Sequence, residues 1–203
     1  MLKLLSNYQN RNMSFSIIQK SQLEGANRLD AEYYQPEYLA FSKMIRSSEH
    51  YFLKDIAFIT DGEHGSPDWD EKTNIKYITA DNIKPNFISE DNFQHISVNQ
   101  DKRNERSRLI KEDVLIYSVG FYAGFAARME EHLLPANIPR SVALIRLKNR
   151  SISSEYLTFF LNCKFGMFQS VRLSAGNAQP MLALDQIQRI EIQQYLLRNK
   201  MNW

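Results

Sequence analysis

The chain has 203 residues, 25 Lys and Arg against 23 Asp and Glu, a net charge of +2 and an apolar fraction of 43%. This suits one folded domain with its own core, and it excludes a disordered chain or a strongly basic one, so any nucleic-acid contact must come from how charge is distributed. A lone cysteine excludes an internal disulfide and a cysteine-based zinc site, and no apolar run approaches the ~20 residues of a membrane-spanning helix.

Residues 1 to about 13 are polar and read as an irregular end. Leu4-Leu5 runs straight into Ser6-Asn7-Tyr8, without the apolar core of a secretory signal, so a reducing cytoplasm is expected. Ser14 to Ile18 alternates like a short strand. Pro36 suits the first turn of a helix reaching about Ser47, with Leu39, Met44 and Ile45 near one face. From Tyr51 the pattern turns β-like: Phe52–Ile59, Ile75–Thr79, Phe93–Ser97, Val114–Tyr117 and Ser141–Leu147 are the predicted strands. Their irregular spacing indicates an α+β fold and not regular βαβ alternation. The C-terminal third changes period. Ser153 or Ser154 is placed to cap a helix, Glu155 suits its first turn, and Leu157, Phe160, Leu161, Phe168 and Val171 recur at helical spacing. Cys163 on that helix reads as a small buried hydrophobe.

Several clusters invite chemistry, and most have a plainer reading. Gly120-Phe121-Tyr122-Ala123-Gly124 lies between two apolar strands and reads as a tight turn. It lacks the Lys-Ser/Thr and the helix opening of a phosphate-binding loop. Asp61, Glu63, His64, Asp68 and Asp70 form an acidic loop. Its spacing matches no calcium loop, and a solvated turn is preferred over a metal site. Asp70-Glu71-Lys72 has the letters of a metal-dependent nuclease motif but lies too close to Pro67-Asp68 to be the second strand such a site needs. No Pro-Pro occurs for a base methyltransferase, and no Gly-x-Ser-x-Gly for a hydrolase. The basic stretch from Lys102 to Lys111 carries five cations and Glu105. It is either a field suited to phosphates or an ordinary solvated surface. Arg140 follows Asn137 in an expected loop and could reach a base or phosphate. Arg146 and Lys148 alternate along a strand and read as its solvated face.

The order of these features resembles one family. The chain runs Arg28-Leu29-Asp30-Ala31-Glu32-Tyr33-Tyr34, then Leu53-Lys54-Asp55-Ile56, then Asp61-Gly62-Glu63-His64 with Pro67 shortly after. Tyr77-Ile78-Thr79-Ala80-Asp81-Asn82-Ile83 follows, then Leu109 to Leu115 entering Ser118-Val119-Gly120 and Gly124. Asn137, the Ser154-Glu155-Tyr156-Leu157 helix and the loop Gly176-Asn177-Ala178-Gln179-Pro180 complete it. Over Arg28 to Ile192 this resembles one target recognition domain of the specificity (S) subunit of type I restriction–modification enzymes.

The resemblance implies an α+β domain with a curved mixed or antiparallel sheet, an N-terminal helix and a C-terminal amphipathic helix. Its loops would enter the major groove over one half of a split site in double-stranded DNA. It implies no catalytic residue, metal or cofactor in this chain. S-adenosylmethionine would belong to a methyltransferase (modification) subunit, ATP and Mg2+ to a restriction subunit, and both subunits would be partners. The DNA-contacting residues would be His64, Lys102, Arg103, Arg106, Arg108, Asn137 and Arg140. The cations would meet phosphates or guanine edges, and Asn137 and His64 would read bases or position loops. Residues 1–27 would form an irregular N-terminal segment, 28–192 the recognition domain and 193–203 the start of a connecting helix. That helix is largely absent, since Gln193 to Trp203 has no useful heptad pattern. This is expected of a truncated or half subunit that could dimerise. Two alternatives stand beside it: a recognition fragment of a fused type II restriction–methylation enzyme, and a remnant that contacts only the methyltransferase subunit.

Overall fold

The computed structural model describes residues 15–23, 29–174 and 180–194. In chain order these form helix α1 (Pro36–Arg46), strand β1 (His50–Phe52), the helical turn α2 (Leu53–Ile56), β2 (Ala57–Asp61), β3 (Lys76–Tyr77), β4 (Ile83–Lys84), β5 (Phe87–Ile88), β6 (Gln94–His95) and α3 (Val98–Arg103). Next come β7 (Val114–Tyr117), β8 (Ala126–Arg128), β9 (Ala136–Asn137), β10 (Val142–Leu147), α4 (Ser154–Asn162), α5 (Lys164–Ser174), α6 (Leu184–Gln188) and β11 (Glu191–Gln193). The class is α+β. The strands divide among a four-stranded sheet ordered β2-β10-β7-β8, a three-stranded sheet β6-β3-β9 and the pairs β1-β11 and β4-β5.

The four-stranded sheet is antiparallel throughout and forms the middle layer. Its central strand β10 is apolar on both sides because both faces are covered. Ala143 and Ile145 pack with Leu157 and Leu161 of α4, Leu173 of α5 and Ile187 of α6. Val142 and Leu144 face the other way, against Ile78, Ile83, Leu109 and Ile138. Each fully buried aliphatic here stabilises the fold by about 1.5–3 kcal/mol relative to exposure. Pairing Tyr51 with Ile192, β1 and β11 join the strand after α1 to the last strand of the described residues. Arg46 reinforces that junction, donating to both carboxylate oxygens of Glu191 at 2.6 and 2.7 Å.

Sequence patterning and structure part in four places. No strand forms over residues 15–19, where Ser16 Oγ donates to the Tyr34 carbonyl at 2.6 Å (Ser14 lies outside the described residues). The β-like run from Phe52 to Ile59 is interrupted by α2, which buries Leu53 and Ile56 on one side one turn apart. Met44 is exposed while Ile45 is buried, so α1 turns a narrower face inward than expected. Finally, the C-terminal helix is two helices. Cys163 is extended at the end of α4, and Gly166 in α5 packs on the carbonyls of Phe160 and Leu161, where a Cβ would lie 2.3 and 2.4 Å away. The glycine lets the two helices fold back closely. Ser153 caps α4 as expected, accepting from Tyr156 N–H at 3.1 Å.

Candidate nucleic-acid interface

The two ends of the central sheet differ. Where β2 ends, β7 ends and β10 begins, loops gather into one rim. Gly62 makes the first approach possible: a Cβ there would stand 1.7 Å from the Ile138 carbonyl oxygen. The chain after β2 can therefore lie beside residues 138–140, with a parallel bridge from Glu63 to Pro139 and the Arg140 N–H donating to the Glu63 carbonyl at 3.1 Å. From the other side, the Ser118 N–H donates to the Ser141 carbonyl, and the Leu182 N–H to the Ser118 carbonyl. A cleft on this rim is lined by Asp61, His64, Ser118, Val119, Arg140 and Met181.

The acidic loop after β2 is held by hydrogen bonds from protein groups. Gln100 of α3 is fully buried and spans it. Its amide nitrogen donates to Glu63 Oε2 and its amide oxygen accepts from the Asp68 N–H, both at 2.6 Å. Ser97, which caps α3, donates to Asp68 Oδ2. Between the two clamped ends, His64, Gly65 and Ser66 project into solvent. Burial, with the Glu63 charge added, pushes the neighbouring Tyr77 hydroxyl up to about 12, so it stays protonated.

The expected contact residues separate into three groups. Arg140 and Lys102 are exposed and make no side-chain hydrogen bond or ion pair among the described residues. Arg103 and His64 are exposed and loosely paired, Arg103 lying 3.8 Å from Glu63 and His64 Nε2 lying 3.1 Å from Asp61. Arg106 and Arg108 are held more firmly. Arg106 donates to Thr60 Oγ1, to Asp61 Oδ1 at 3.1 Å and to the Gly62 carbonyl at 3.3 Å, while Arg108 pairs with Asp101 at 2.6 Å and Glu105 at 3.3 Å. The hydrogen bond that Arg108 donates to Asp101 is the main reason its pKa is raised further.

Asn137 requires a correction. It sits in β9, not in a loop, and is fully buried. Its amide nitrogen donates to Asp101 Oδ1 and the Asn104 carbonyl, and its amide oxygen accepts from Ser107 Oγ at 2.7 Å and its neighbour Ile138 N–H at 2.9 Å. Every hydrogen-bonding position of the side chain is used internally, so it positions the basic segment and is not free to read a base. Arg146 is a second correction. It is only partly solvated, with 31% of its side chain exposed, and grips the buried Asp113 carboxylate through two bonds, at 2.7 and 2.8 Å.

Gln100 and the Phe121-Tyr122 tip are parts of this rim that sequence reasoning missed. Gln100 carries no sequence signal, being one polar residue in a polar helix. Two adjacent aromatics between glycines are unusual for a solvated turn, and that could have marked the tip. The loop residues Gly176, Asn177, Ala178 and Gln179, and Arg28, lie outside the described residues, but Pro180 and Met181 bring that loop's end to the rim.

No family model matches the sequence, and neither does any curated protein. Solved structures do match. The type I restriction–modification system S subunit from M. genitalium superposes with a TM-score of 0.51 at 15% identity, over 76% of this chain and 36% of that one. The chain has the fold of one part of that S subunit. The type IIG restriction endonuclease BpuSI superposes with a TM-score of 0.57 at 10% identity, over 87% of this chain and 28% of that one. The chain therefore spans well under half the length of either protein, and what it shares with them is the fold of one part.

Proposed function

We propose that this chain recognises a DNA sequence within a restriction–modification system, and that it does no chemistry itself. The observation that carries this reading is the rim. Within a fold shared with an S subunit, Arg140, Arg103, His64 and the loop after β2 meet at one end of the central sheet, with Lys102 exposed on the adjoining helix. Exposed cations next to a rigid, solvent-facing loop suit a duplex, since phosphate contacts set the register and loop groups meet base edges. The domain reads one half of a split site. Methylation with S-adenosylmethionine and cleavage driven by ATP and Mg2+ belong to partner methyltransferase and restriction subunits.

The larger overlap with a type IIG enzyme favours a second reading, in which the same domain serves a fused restriction–methylation protein. Both readings make the same first demand. Selection from a random-sequence duplex pool should recover a short consensus, and log K should fall linearly with log salt concentration as phosphate contacts release counterions. Recovery of no consensus, with binding only to the methyltransferase, would support the remnant that contacts no DNA. Co-purification with separate methyltransferase and restriction subunits would distinguish the first reading from the fused one.

A further inference from the structure

The hairpin tip between β7 and β8 is built for presentation. Gly120 and Gly124 both take positive φ, 124° and 104°, where a side chain is strained. Gly124 also packs so closely that a Cβ would stand 2.7 Å from Ser170 Cβ. Hydrogen bonds close the loop on itself, from Gly124 N–H to the Tyr117 carbonyl, Ala123 N–H to the Gly120 carbonyl and Phe125 N–H to the Tyr122 carbonyl. A further bond from Gly120 N–H to the Pro180 carbonyl and a bridge from Val119 to Met181 brace it from outside. Tyr122 stacks on Phe125 at 5.2 Å and meets Tyr117 edge-on at 6.1 Å. Phe121 stands on Tyr122 at 5.2 Å and is 78% exposed. Within this closed loop the Phe121 ring is turned out to solvent.

Resting on the DNA-recognition reading above, we propose that Phe121 is a wedge that enters a base step of the bound duplex and unstacks it, with Tyr122 as its support. The tip rises from the strand end that hydrogen-bonds to Ser141, one residue from Arg140, and its base lines the cleft shared with His64 and Arg140. An exposed ring on a tip whose base shares a cleft with an exposed guanidinium fits stacked bases bordered by phosphates better than it fits an apolar protein groove. Apolar wedges are a known means of kinking duplexes, and pyrimidine–purine steps yield most easily. Because the loop backbone is closed before binding, little backbone entropy is lost on insertion.

The test uses the full chain and a duplex recovered from the random pool, with 2-aminopurine placed at each position in turn. The expected result is a fluorescence rise at one step on binding. Phe121→Ala should abolish that rise and weaken binding about ten-fold, leaving the salt slope unchanged because no phosphate contact is lost. Phe121→Trp should restore the rise. Fluorescence that stays flat at every position, or rises equally with Phe121→Ala, overturns the wedge while leaving DNA recognition intact and gives the tip to a protein partner. Failure to recover any sequence-selective duplex overturns both proposals.

Discussion

Asn137 Nδ2 donates to Asp101 Oδ1 at 3.0 Å inside the protein, joining the strand that borders the rim to the helix that carries Lys102 and Arg103. Asp101 in turn holds Arg108. One buried amide thus fixes the basic segment against the sheet.

Asn137→Ala should therefore reduce stability, by about 3 kcal/mol, because it strands the polar groups of Asp101 and Ser107 without a partner. A denaturant titration reads this as a lower midpoint. Base preference in the surviving folded fraction should be unchanged. A variant as stable as the parent but with altered preference would return Asn137 to the readers.

Lys102→Ala and Arg140→Ala should show the opposite pattern. Both side chains are exposed and unpaired among the described residues, so stability should move by no more than about 0.5 kcal/mol. Duplex binding should weaken, and each lost phosphate contact should reduce the salt slope by about 0.9. If Arg140 reads a base instead, the slope holds and discrimination at one position falls by about 1–3 kcal/mol. Unchanged binding in the double variant would remove both from the interface.

Sequence legibility followed the range of the interactions. Val114–Tyr117 and the Ser153 cap could be read because a buried strand and a helix start are written in adjacent residues. The α+β class followed from the same local patterns. The acidic loop is a loop as expected but not simply a solvated one, because Gln100, Ser97 and Arg106 donate to its carboxylates from distant positions. Asn137 and Arg146 were misjudged because their partners, Asp101 and Asp113, lie 36 and 33 residues away. Local alternation marks Arg146 as solvent-facing, but the second face of β10 is covered by another part of the chain. Nor did the charge run from Lys102 to Lys111 disclose which cations were already paired.

Asp113 gives a pH-dependent prediction. Its side chain is 1% exposed, and burial raises its pKa above the ordinary 3.8, with the Arg146 hydrogen bond, the Ile110 N–H and the Arg146 charge opposing the rise. A carboxyl raised in the folded state favours folding when protonated. That contribution is complete below about 3.8 and is lost as pH climbs through the folded value. Arg146→Met removes two of the opposing effects. Its destabilisation should be about 3 kcal/mol at neutral pH, the low end for a broken buried pair because Arg146 keeps a third of its side chain in water. The loss should shrink toward pH 4. Urea titrations giving equal losses at both pH values would contradict this.

Gly62→Ala should separate the loop after β2 from residues 138–140. No rotamer change can relieve the contact, because the obstacle is backbone. A loss of about 1–3 kcal/mol is expected from the overpacking. Duplex affinity should fall with it, because Glu63 and Arg140 lose their shared register. Hydrogen exchange would report the separation as lost protection at the Arg140 amide.

The Gln100 clamp has a consequence for how such a domain changes over time. It grips Glu63 and the Asp68 backbone and leaves the tetrapeptide His64-Gly65-Ser66-Pro67 between them outside its grasp. The clamp senses the length of that insert and is indifferent to its letters. Point changes within the tetrapeptide can accumulate without disturbing the sheet beneath, while a single inserted or deleted residue breaks the bracket. If the loop reads DNA as proposed, a lineage holding this architecture can thus acquire new preferences by spelling alone, at constant word length.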